Sequence, residues 1–166
     1  MDRYITTFTL AVLLGSPFAA HSQANKACGL ASPAEIEGVL GAKVTGLNPQ
    51  GPGGASAQFC MGTSPKASVM LRLAKRKNAG PPGEAERKGI EIYRKMGAQV
   101  DVQTFGPITC SAVIPPKNLE AHGFNTTCTV SKGDAVAGIE ITVKTRADMV
   151  PIEKLRPLAE KMSGRF

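Results

Sequence analysis

Apolar and polar positions along this chain follow two periods, and the switches between them mark its elements. Ile36, Val39 and Leu40 recur at helical spacing behind Ser32-Pro33-Ala34-Glu35. That tetrapeptide reads as a capping box, with the Ser32 hydroxyl and the Glu35 carboxylate each satisfying the other's backbone N–H. Pro33 suits the first helical position, where its missing N–H costs nothing, and Gly41 suits the left-handed stop. Lys43 to Leu47 then reads as a strand, closed by the turn-rich "NPQGPGGAS". Gln58 to Met61 and Ala67 to Lys75 are the next strands; in the longer one Val69, Leu71 and Leu73 alternate with Ser68, Met70 and Arg72.

"NAGPPG" breaks the chain again, and Glu84 to Met96 reads as a helix with Ala85, Gly89, Ile92, Tyr93 and Met96 along one stripe, ended by Gly97. Four strands follow, Gln99 to Phe105, Ile108 to Ile114, Asn125 to Ser131 and Ala135 to Thr145, the last two joined by the hairpin turn "SKGD". Met149 to Met162 closes the chain as an amphipathic helix carrying Ile152, Leu155, Leu158, Ala159 and Met162 on one face. Pro157 removes a backbone bond inside it, which sets the regular part near Lys154. The order α-βββ-α-ββββ-α with short connections predicts an α+β domain, an antiparallel sheet packed by helices.

The first 24 residues change the picture of where this domain works. Arg3, the apolar stretch from Ile5 to Leu14, and small residues at Ser22-Gln23-Ala24 form the pattern of a secretory leader cut after Ala24. A spanning anchor needs about twenty apolar residues, and this stretch is too short and too diluted by threonines. Residues 25–166 remain, enough for one domain with a real core. All four cysteines, Cys28, Cys60, Cys110 and Cys128, lie in that part. In an oxidising compartment an even count reads as two disulfides, and a periplasmic or secreted location follows. Three connectivities are possible; the nearest-neighbour scheme, Cys28 to Cys60 and Cys110 to Cys128, fits the elements above.

Charge and chemistry narrow the function only by exclusion. The net charge of +7 biases the surface towards anionic partners. Arg72, Lys75, Arg76 and Lys77 end a strand, and Arg87 and Lys88, with Arg94 and Lys95, recur on the next helix. If strand and helix pack side by side these form one basic face, the candidate binding surface. With no Trp and two Tyr the stacking platform for nucleic acid is thin, so none is expected as a partner. His21 falls in the leader, which leaves His122 as the one imidazole for catalysis, with Ser111 and Asp101 as conceivable partners. No serine sits in a nucleophile elbow, and Glu35, Glu37, Glu84, Glu86 and Glu91 lie on predicted helices where capping and solvation account for them. No cysteine, histidine or carboxylate set has metal-ligand spacing, and "GPGGAS" lacks the phosphate-loop and dinucleotide patterns, so neither metal nor cofactor is expected.

The frame "ACGLASPAEIEGVLGAKV", a second cysteine in "AQFCMG", the strand "ASVMLRLAK", and "GIEITVKT" followed by "LRPLAEKM" resembles a broad group of bacterial cell-envelope proteins and lipoproteins of unknown function. The resemblance covers nearly all of residues 25–166. It implies a PsbP-like α+β fold, a pairing of Cys28 with Cys60, and binding or sensing more often than catalysis. The residues before Cys28, Asn25-Lys26-Ala27, depart from the lipoprotein box, which argues against a lipid anchor there. The expected function is therefore a non-catalytic exported interaction module for an envelope protein or a small anionic ligand. The alternatives are an inhibitor or immunity protein of an exported hydrolase, and an enzyme working through His122.

Overall fold

A computed structural model describes residues 25–51, 56–75 and 84–166. The leader expected over the first 24 residues lies outside them. Seven strands form one antiparallel sheet: β1 (Thr45–Gln50), β2 (Ala57–Thr63), β3 (Ala67–Lys75), β4 (Gln99–Phe105), β5 (Ile108–Ile114), β6 (Phe124–Lys132) and β7 (Ala135–Val143). Their order across the sheet is β1-β2-β3-β7-β6-β5-β4. Two meanders, β1 to β3 and β4 to β7, thus meet where β3 pairs with β7, Leu71 opposite Ile139 and Arg72 opposite Gly138. The helices are α1 (Pro33–Leu40), α2 (Glu84–Lys95) and α3 (Ile152–Met162), and three short 3-10 turns span Lys26–Gly29, Lys117–His122 and Arg146–Asp148.

Strand alternation divides the sheet into two unlike faces. One carries Val69, Leu71, Ile139, Ile141, Cys60, Cys110, Cys128 and Val130, all buried, and is covered by α1, α3 and the first 3-10 turn. Helix α3 lays Ile152, Leu155, Leu158, Ala159 and Met162 on it. The helix starts at Ile152, two residues before the expected Lys154, and runs on through Pro157. That proline's single lost bond is outweighed by the burial of five side chains on the sheet. The one hydroxyl deep in this face, Thr126 Oγ1, donates to Val150 O at 2.7 Å and so pins the approach to α3.

The capping box forms as the sequence predicts. Ser32 Oγ accepts from Glu35 N at 3.3 Å, Glu35 Oε2 accepts from Ser32 N at 2.9 Å, and Gly41 closes the helix at φ 67°. The disulfides are Cys28–Cys60 and Cys110–Cys128. The first anchors the turn at Lys26–Gly29 to β2, helped by Asn25 Nδ2 donating to Phe59 O at 2.9 Å. The second joins directly opposed residues of β5 and β6.

Two expectations give way to the structure. Strand β1 runs Thr45–Gln50, past the expected end at Leu47 and through Pro49. It lies at the sheet edge, where a strand tolerates a residue without an N–H. In α2 the stripe expected to be buried is largely exposed: Ile92 is 59% accessible, Met96 48% and Tyr93 40%, while Ile90 is 7%. Gly89 and Tyr93 of that stripe do line the cleft beneath the helix, together with Glu86 and Ile90, which lie outside it. The reason lies in what α2 covers, which is the other, polar face.

Candidate functional site

The connection from β3 to β4 must pass from the middle of the sheet to its far edge, across β7, β6 and β5. Four strand spacings are about 19 Å, and a helix the length of α2 spans about 18 Å. The crossover therefore carries α2 over the open face, and a cleft of about 180 Å³ remains between them. Its floor is built by alternation: β5 turns Thr109, Ser111 and Val113 upward, β6 Asn125, Thr127 and Thr129, β7 Gly138 and Glu140, β3 Met70 and Arg72. The same strands turn Ile108, Cys110, Phe124, Cys128 and Ile139 down into the core.

Arg72 is the most informative residue in this cleft. It is half-buried, and among the described residues it makes no ion pair and no side-chain hydrogen bond. Its Nε lies 3.9 Å from where a Cβ on Gly138 would stand, so the side chain reaches across β7 over the gap that glycine leaves. Glu140, also half-buried, accepts from Thr142 Oγ1 at 3.4 Å and has no cationic partner among the described residues. The two charges sit on paired strands, one ladder step apart on the same face, and remain separate. Asn125 Oδ1 is buried beside them with no hydrogen-bond partner among the described residues. Glu86 of α2 adds a second carboxylate to the lining.

Past Tyr93, Val113 and Asn125 the cleft continues into an apolar groove of about 260 Å³ that also takes in Met96, Pro116 and Leu119. A third depression, about 550 Å³, lies at the end of the sheet between Ser64, Lys66, His122 and Lys144. There Lys66 Nζ is already paired with Asp148 Oδ1 at 2.9 Å, and with the Thr145 hydroxyl this holds the Asp148 carboxyl below its usual range.

The expected basic face is divided by the fold. Arg72 points into the cleft, whereas Lys75, three positions on, falls on the opposite face of β3 at its exposed end. Arg87 and Lys88 lie on the exposed side of α2, where Lys88 Nζ is 2.8 Å from Glu84 Oε1. Arg76 and Lys77 lie outside the described residues. The conceivable catalytic trio does not assemble either. Ser111 faces the cleft, Asp101 lies on the other face of the sheet, where it accepts from Gln103, and His122 is exposed at the end of the turn Lys117–His122. No group of three histidine, cysteine or acidic residues suited to a metal occurs among the described residues.

Sequence reasoning placed Arg72 in one basic face and missed its setting in the cleft. The available signal was the row of hydroxyl and amide residues at alternate positions of two successive strands, Thr109 and Ser111, then Asn125, Thr127 and Thr129. Such a row marks a polar inner face rather than a solvated one when a helix must cross it. What fold and site define is an α+β sheet domain with a stapled apolar side and a polar cleft under a crossover helix. No protein-family model, curated protein or solved structure matches the chain.

Proposed function

We propose that this chain is an exported, non-catalytic binding module, and that its site is the cleft beneath α2, which takes a small polar ligand bearing an anionic group. The observation that carries this reading is Arg72: a half-buried arginine on the floor of a cleft, in no ion pair or side-chain hydrogen bond among the described residues. A charge drawn from water and left unpaired is costly, and an anion delivered by a ligand removes that cost. The surrounding hydroxyls of Ser111 and Thr127 supply further donors, and Ile90, Tyr93 and Val113 supply apolar contact. Two disulfides fit the oxidising compartment that the leader pattern implies. The resemblance to envelope proteins points the same way, to binding or sensing.

The test is a titration of the oxidised protein with small carboxylates, phosphate monoesters and sulfate, followed by backbone amide chemical shifts. Saturable shifts confined to β3, β5, β6, β7 and α2, abolished by Arg72→Met, are the expected result. Shifts that map to Lys66, Lys144 and His122 instead, or that survive Arg72→Met, overturn the assignment.

A further inference from the structure

Resting on the reading that the cleft binds through Arg72, we infer that its ligand is a small zwitterion: an anionic group held by Arg72, and an ammonium held by Glu140 together with Asn125 Oδ1. The argument starts from an ion pair that is not made. Arg72 and Glu140 are diagonal neighbours on paired strands, since Arg72 faces Gly138 and Glu140 faces Met70. Diagonal positions on one face stand about 7 to 8 Å apart at their Cα atoms, within reach of both long side chains. Opposite charges so placed and half-buried gain by meeting. Here they diverge. Arg72 lies over Gly138 towards Thr129, and Glu140 leans along its strand to Thr142, 3.4 Å away.

The gap between them carries matched demands. On the Glu140 side the carboxylate has one modest hydrogen bond, and Asn125, which pairs with Thr142 on the neighbouring strand, adds a buried acceptor without a donor. Two acceptors with only the Thr142 hydroxyl donating to one of them suit an ammonium. On the Arg72 side the guanidinium offers a planar fork without an acceptor, which suits a carboxylate. A simple dianion meets Arg72 but repels Glu140 and Glu86; a simple cation does the reverse. A molecule with both charges satisfies both ends. Ile90, Tyr93 and Val113, leading to the groove with Met96 and Leu119, receive an apolar substituent. The ligand class is an amino acid or short peptide with an apolar side chain.

Calorimetric titration of the oxidised protein with leucine and leucyl-leucine, against N-acetylleucine and leucinamide, tests this. At least one of the zwitterions is expected to bind about tenfold or more tighter than each single-charge analogue, the ratio that loss of one charge-assisted contact produces. Glu140→Gln should bring leucine and N-acetylleucine to similar affinity, and Arg72→Met should do the same for leucine and leucinamide. Unchanged melting curves with Arg72→Lys and Glu140→Asp as charge-conserving controls separate a lost contact from a lost fold. N-acetylleucine binding as tightly as the zwitterions, with dependence on Arg72, overturns the zwitterion while leaving an anion site. Failure of all four probes together with the small anions overturns both.

Discussion

Arg165 and Glu35, 130 positions apart, close the molecule with a two-pronged contact: Nη1 and Nη2 donate to Oε2 and Oε1, each at 2.7 Å. Nη1 also donates to Leu30 O at 2.9 Å. The same Glu35 carboxylate completes the cap of α1, so one side chain ends a helix and fastens the C-terminus to it.

The Arg165 guanidinium, then the Ser32 backbone N–H, hold the Glu35 carboxyl down to about 2 from an ordinary value of 4.5. A carboxylate whose folded pKa is depressed contributes stability that is complete above the unfolded value and lost as pH falls through the folded one. Urea midpoints should therefore decline between about pH 5 and pH 2. In Glu35→Gln that decline should be shallower, from a lower starting point. An identical slope in wild type and Glu35→Gln would assign the acid sensitivity elsewhere.

Cys28–Cys60 closes a loop of 32 positions, and the residues it fastens otherwise hold to β2 through two hydrogen bonds, from Asn25 Nδ2 and Lys26 N. Replacing both cysteines by serine should lower stability by about 2 to 4 kcal/mol in denaturant titration. Amide exchange should rise along Ala27 to Ala31 more than in β6. Equal protection throughout would mean that packing of Ala27 and Leu30, both fully buried, suffices without the bridge.

Helices α2 and α3 should differ sharply in local stability. Helix α3 buries five side chains against the sheet, while α2 buries Ile90 and leaves Ile92, Tyr93 and Met96 exposed. Leu155→Ala should cost about 2 to 5 kcal/mol, the range for deleting a buried leucine. Ile92→Ala should stay within about 0.5 kcal/mol. By hydrogen exchange α2 should open well below the global unfolding free energy, and a ligand in the cleft should slow it. Protection of α2 equal to that of α3 in the free protein would contradict the account.

How much of this was legible beforehand depends on how local each feature is. The cap at Ser32 and Glu35 involves residues three apart and reads directly from the chain, as do the alternation in β3 and the apolar face of α3. The rotation of α2 was legible only in part: its stripe of Ala85, Gly89, Ile92, Tyr93 and Met96 holds Gly89 and Tyr93, which line the cleft, but only the polar floor beneath decides that Ile90 is buried while Ile92 and Met96 are not. The separation of Arg72 from Lys75 follows from the two-residue period of a strand, and was hidden by reading the basic run as a cluster. The placing of Arg72 and Glu140 on one face was out of reach, since nothing in either segment states that β3 lies beside β7.

That pairing has a consequence for how the cleft comes into being. Neither covalent bridge crosses the seam between β3 and β7: Cys28–Cys60 ties the N-terminal turn to the first meander, and Cys110–Cys128 lies within the second. Each half can fold by local contacts, but Leu71 finds Ile139 only after α2 and three further strands have been drawn together, the slow, loop-closing kind of step. Arg72 stands on one side of that seam and Glu140 on the other. Neither half holds both residues alone, so capture of the zwitterion proposed above would report that the two have joined.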